Sequence, residues 1–89
     1  MEEFHAIVSA RVQMVMFRDF TCRKARKLGV VGFVHNLKDG TVEVCAQGSK
    51  ERLLELIEYL HKGSLLSNVK DVNVAWREPS KSFDSFSIQ

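Results

Sequence analysis

The chain has 89 residues, of which 45% are hydrophobic and 27% charged, with 5 Gly and 1 Pro; this is ordinary globular usage, so collagen-like and disordered classes drop out and a single domain over residues 1–89 is expected. Lys and Arg total 13 against 11 Asp and Glu, and the formal charge of +2 is too small an excess to imply nucleic-acid or membrane binding by itself. No apolar run nears the ~20 residues of a membrane helix, and the acidic start Met1-Glu2-Glu3-Phe4 lacks the basic and apolar regions of a signal peptide, so a cytoplasmic protein is expected.

In chain order, Phe4 to Arg11 reads as a strand, with Phe4, Ala6, Val8 and Ala10 on one face and His5, Ile7 and Ser9 on the other. The segment Arg11–Arg18 then breaks the alternation without Gly or Pro. Asp19 suits a helix N-terminus, Thr21, Ala25 and Leu28 follow at helical spacing, and Gly29 fits a left-handed stop, which predicts a helix over 19–28. Val31–Leu37, the Lys38-Asp39-Gly40 turn and Thr41–Gln47 predict a β-hairpin. Ser49 caps a second helix whose Leu53, Leu56, Ile57 and Leu60 form an apolar stripe closed by Gly63. Val72, Val74 and Trp76 alternate as a strand ended by Pro79. Ser80–Ser85 reads as a loop, and Phe86-Ser87-Ile88 as a short last strand.

The order β-α-β-β-α-β plus a short strand predicts an α+β fold, the ferredoxin-like split β-α-β sandwich, with an antiparallel sheet covered on one face by two helices. That fold hosts enzymes and binding modules alike and decides little about function. Phe4, Phe17, Phe20, Phe33, Phe83 and Phe86 with Trp76 are expected to be core material, and at most Phe33 or Trp76 to line a substrate mouth; these two strand aromatics are isolated, which argues against a base-stacking nucleic-acid surface. Cys22 and Cys45 match no zinc or disulfide-framework spacing and are expected to be reduced, packed thiols. His5, His35 and His61 form no ligand set, so no metal site is expected.

Chemistry concentrates between the first strand and first helix. A chain passing from a strand through a loop into a helix N-terminus turns backbone N–H groups toward one point, where the helix partial charge favours an anion. Arg18 enters the same region with a planar, permanently charged fork suited to two phosphate oxygens. Asn36, at the end of the second strand, offers one donor pair and one acceptor to a water or a carbonyl, or else serves the adjacent turn.

Three stretches together resemble the acylphosphatase family: A-R-V-Q-M-V-M-F-R (Ala10–Arg18), A-R-K-L-G-V-V-G-F-V-H-N (Ala25–Asn36) and D-G-T-V-E-V-C-A-Q-G (Asp39–Gly48). The closing Phe86-Ser87-Ile88 extends the likeness over nearly the whole chain. The resemblance implies a small hydrolase without cofactor, metal or covalent intermediate, which cleaves small-molecule acyl phosphates to a carboxylate and inorganic phosphate; a monomer is expected. It assigns phosphoryl binding to Arg18, water positioning to Asn36, and the phosphate-binding loop to the backbone amides of Arg11, Val12, Gln13, Met14 and Val15. Two positions depart from the family pattern: Met14 stands where the loop has Gly, and Ala10 replaces the usual leading Gly. A Met14 forced into a left-handed backbone would strain the cradle. The alternative expectation is therefore a catalytically weakened anion- or partner-binding module on the same fold.

Overall fold

The computed structural model describes residues 1–10, 14–63 and 69–89, the side chains of Ala10, Met14 and Val15 excepted. The elements run β1 (Glu2–Ala10), α1 (Met14–Leu28), β2 (Val31–Asn36), β3 (Val42–Gly48), α2 (Lys50–Lys62), β4 (Val69–Arg77) and β5 (Phe86–Ile88). The strands form one sheet in the order β4-β1-β3-β2-β5. The four longer strands pair antiparallel, as expected, and the short β5 adds to β2 in parallel.

Strand alternation sorts the side chains into two faces. Phe4, Ala6 and Val8 of β1 stand beside Ala46, Val44 and Val42 of β3, and Val34 continues the row on β2. These residues, with Phe86, are buried beneath Phe17, Cys22 and Ala25 of α1 and Leu53, Leu56 and Leu60 of α2. Both helices thus cover one face. Local chemistry ends the elements where it was expected to: the Ser49 side chain accepts from the Arg52 amide, and the Gly63 amide donates to Tyr59 at φ +70°. In the hairpin the Gly40 amide donates to Leu37 at 3.1 Å, and Asp39 Oδ1 accepts from the Thr41 hydroxyl at 2.6 Å and its amide at 3.0 Å. Those two bonds hold the Asp39 carboxyl below its usual range.

Two expectations need correction. Helix α1 begins at Met14, not Asp19, so Asp19 is no cap; it lies inside the helix and pairs with Arg23 one turn on at 3.1 Å. The reason is that Phe17, four residues before Thr21 and eight before Ala25, continues their buried helical row ahead of Asp19. The aromatics divide as well. Phe4, Phe17 and Phe86 are core, whereas Phe33 stacks with Phe83 on the other sheet face, and Trp76 is 41% exposed, edge-on to Phe4.

On that second face the Ser80–Ser85 segment folds back over the sheet, and a carboxylate is buried below it. Glu3 is 1% exposed and accepts from Gln47 Nε2 at 2.7 Å and from Arg77 Nε, while Gln47 also donates to the Lys81 carbonyl at 2.7 Å. Burial by itself would raise the Glu3 pKa, but the Gln47 amide and the Arg77 guanidinium outweigh it and leave it lowered from 4.5. Burial together with the Glu3 charge pushes the neighbouring Cys45 thiol up, so that thiol is no nucleophile. A carboxyl with a depressed folded-state pKa contributes stability above its unfolded pKa and loses it as pH falls through the folded value. The denaturation midpoint of the protein is therefore expected to fall as pH drops below about 4.5, and in Glu3→Gln that acid limb flattens. At neutral pH the variant is expected to lose about 1–2 kcal/mol, a modest figure because the Arg77 side chain is 47% exposed and stays hydrated without its partner. An unchanged acid limb in urea titrations would show that Glu3 is not the linked group.

Candidate active site

Four element ends meet at one end of the sheet. β1 runs out there at Ala10, β4 enters at Val69 opposite it, β3 starts at Val42 and β2 ends at Asn36 opposite Val42. The β1–β4 register shifts between Ser9 and Ala10, an irregularity of the kind that re-aims a chain as it leaves a sheet. Helix α1 also begins at this end. Its first turn carries no acidic side chain, so the helix itself supplies no carboxylate to the positive end of its dipole.

Arg18 sits in the second turn of α1, half-buried, with Nη1 donating to the Gln89 backbone oxygen at 3.4 Å. The Gln89 amide in turn donates to the Val34 carbonyl at 2.8 Å. Asn36 lies two residues beyond Val34 on the same side of β2, the side that faces the helices. The fold thus brings Arg18 and Asn36 to one end of the molecule although 18 positions separate them in the chain. Each holds a buried polar atom with no hydrogen-bond partner among the described residues: Nε of Arg18 and Oδ1 of Asn36. A buried donor or acceptor left unpaired costs about 1–3 kcal/mol, and such groups persist where a ligand completes them.

Of the expected loop, Arg11, Val12 and Gln13 lie outside the described residues. Met14 and Val15 are the first two residues of α1, so their amides are first-turn amides without an intrahelical acceptor. Met14, considered above for a left-handed backbone, is the first residue of the right-handed helix α1. Neither aromatic proposed for a substrate mouth is here: Phe33 is on the opposite sheet face, and Trp76 pairs with Phe4 toward the other end of β1. A cleft of about 390 Å³, lined by Met1, Gln47, Pro79, Lys81 and Phe83, also lies away from this site, at the end of β3 opposite Val42.

Fold and site together define an α+β domain of the ferredoxin-like class whose first helix starts at the sheet end that holds Asn36. Comparison with known proteins narrows this further. The family model for acylphosphatase matches residues 4–88. A curated acylphosphatase of Methanococcoides burtonii is 46% identical over 82 residues, which span 92% of this chain and 85% of that protein. One of Thermococcus kodakarensis is 49% identical over 75 residues, 84% of this chain and 82% of that one. The crystal structure of acylphosphatase from Bacillus subtilis superposes with a TM-score of 0.94 at 36% identity, covering 100% of this chain and 99% of that one. The chain belongs to the acylphosphatase family.

Proposed function

We propose that this protein hydrolyses small-molecule acyl phosphates to a carboxylate and inorganic phosphate. The observation that carries the reading is the match of the acylphosphatase family model to residues 4–88; in keeping with it, Arg18 Nε and Asn36 Oδ1 are two of the four buried side-chain polar atoms that have no hydrogen-bond partner among the described residues. The Arg18 fork and the first-turn amides of α1, with those of Arg11, Val12 and Gln13, bind the phosphoryl oxygens. Asn36 Oδ1 accepts a hydrogen of the attacking water and so aims its lone pair at phosphorus. The water oxygen bonds to phosphorus as the bond to the acyl oxygen breaks, the carboxylate leaves with the electron pair, and the water proton passes to a phosphoryl oxygen. A carboxylate is a good leaving group, with a conjugate-acid pKa of about 4. The reaction therefore asks for positioning and charge stabilisation rather than a strong base.

The test is phosphate release from benzoyl phosphate by the parent and by Asn36→Ala. Asn36 acts on the water and not on the bound phosphoryl group, so the variant is expected to lose about 10²-fold in kcat with KM within about threefold. A parent protein that releases phosphate no faster than the uncatalysed reaction would falsify the reading.

A further inference from the structure

β5 is three residues long and, among the described residues, pairs only with β2. Its ladder turns Ser85 and Gln89 toward β2, where the Ser85 carbonyl accepts from the Gly32 amide at 3.0 Å and the Gln89 amide donates to Val34 at 2.8 Å. In a strand, alternate residues point their backbone groups to opposite edges, so the Phe86 carbonyl faces outward. There it accepts from Arg26 Nε at 3.0 Å and from the Cys22 thiol at 3.6 Å. Arg18, Cys22 and Arg26 recur at intervals of one helical turn and place three donors of α1 along one short strand.

These contacts differ in strength, and the difference orders cause and effect. The guanidinium of Arg26 makes a charge-assisted bond of ordinary length, the thiol is a weak donor, and the Arg18 bond to Gln89 is long and exposed. Arg18 therefore rests against Gln89, the residue that follows β5, without being able to hold it, whereas Arg26 holds β5 itself at Phe86. We propose that Arg26 is a positioning residue: by clamping the outer edge of β5 it fixes the backbone on which the Arg18 guanidinium rests, and so sets the affinity for the phosphoryl group. This rests on the assignment of Arg18 to that group.

The experiment measures KM and kcat for benzoyl phosphate, and the dissociation constant of inorganic phosphate by calorimetry, for Arg26→Ala, Arg26→Lys, Arg18→Ala and the Arg26→Ala/Arg18→Ala double variant. Arg26→Ala is expected to raise KM and the phosphate dissociation constant about fivefold with kcat within about twofold. Arg26→Lys, which keeps a cationic donor, recovers part of that affinity, and in the Arg18→Ala background the Arg26 change adds nothing to the phosphate dissociation constant. A purely structural role would instead give an equal extra loss in both backgrounds, and that result overturns the proposal, as does unaltered phosphate affinity in Arg26→Ala beside a weakened Arg18→Ala. If Arg18→Ala itself binds phosphate like the parent, the Arg18 assignment fails and takes the clamp with it. Should Arg26→Ala not fold, Arg26→Met keeps the aliphatic stem, deletes the donors and gives the same readings.

Discussion

Arg18→Gln is expected to lose at least about 10³-fold in kcat/KM on an acyl phosphate, because a cation on a transferring phosphoryl group is worth about 10³–10⁵ in rate where it stabilises the transition state. Glutamine keeps polarity and some length but has neither the charge nor the two-pronged donor geometry of guanidinium. Competitive inhibition by inorganic phosphate should weaken in parallel, since ground state and transition state share the phosphoryl oxygens. The fold should survive: Arg18 contributes one exposed bond to Gln89 at 3.4 Å, and its Nε has no partner to lose among the described residues. Equal rates in parent and variant, with unchanged melting temperatures, would remove Arg18 from the site even if the protein proved active.

The second large effect falls on stability and far from any charge. Gly32 lies inside β2 at φ +141°, and a Cβ built there would stand 1.9 Å from the Cys45 carbonyl oxygen and 2.9 Å from its carbon. Those are backbone atoms of the paired strand β3, so relief requires the sheet to part. Gly32→Ala is expected to cost about 4 kcal/mol or more, a large share of the roughly 5–15 kcal/mol that holds a small domain folded. Gly40→Ala is the control. Its φ of +89° imposes backbone strain of about 1–2 kcal/mol, but no atom lies within 4 Å of the added Cβ. Gly32 at φ +141° carries backbone strain as well as the clash, so the gap between the two melting temperatures reads the clash plus any difference in that strain, and equal temperatures would show that β2 and β3 can separate at Gly32 without penalty.

Most elements were legible because their causes are local. The two-residue alternation of Phe4, Ala6 and Val8, the Asp39-Gly40 turn, the Ser49 cap and the Gly63 stop each act within a few residues, and each stands where expected. The start of α1 was misplaced because Asp19 resembles a cap, while the true first turn, Met14 to Phe17, carries no capping side chain within the helix to announce it. Arg18 could be singled out from strand–loop–helix order alone. Asn36 is ambiguous in isolation, and the role proposed for it rests on the family resemblance.

The amino-acid order by itself determined the succession of strands and helices and the family, since spacing along a chain is all that period, cap and motif require. The tertiary structure alone decided that β5 joins in parallel, that Glu3 is a buried carboxylate tied to Gln47 and Arg77, that Gly32 tolerates no side chain, and that Arg18 and Asn36 share one end of the sheet. Each of those depends on which atoms approach across long chain separations, and that is set by packing the helices on one face of the sheet.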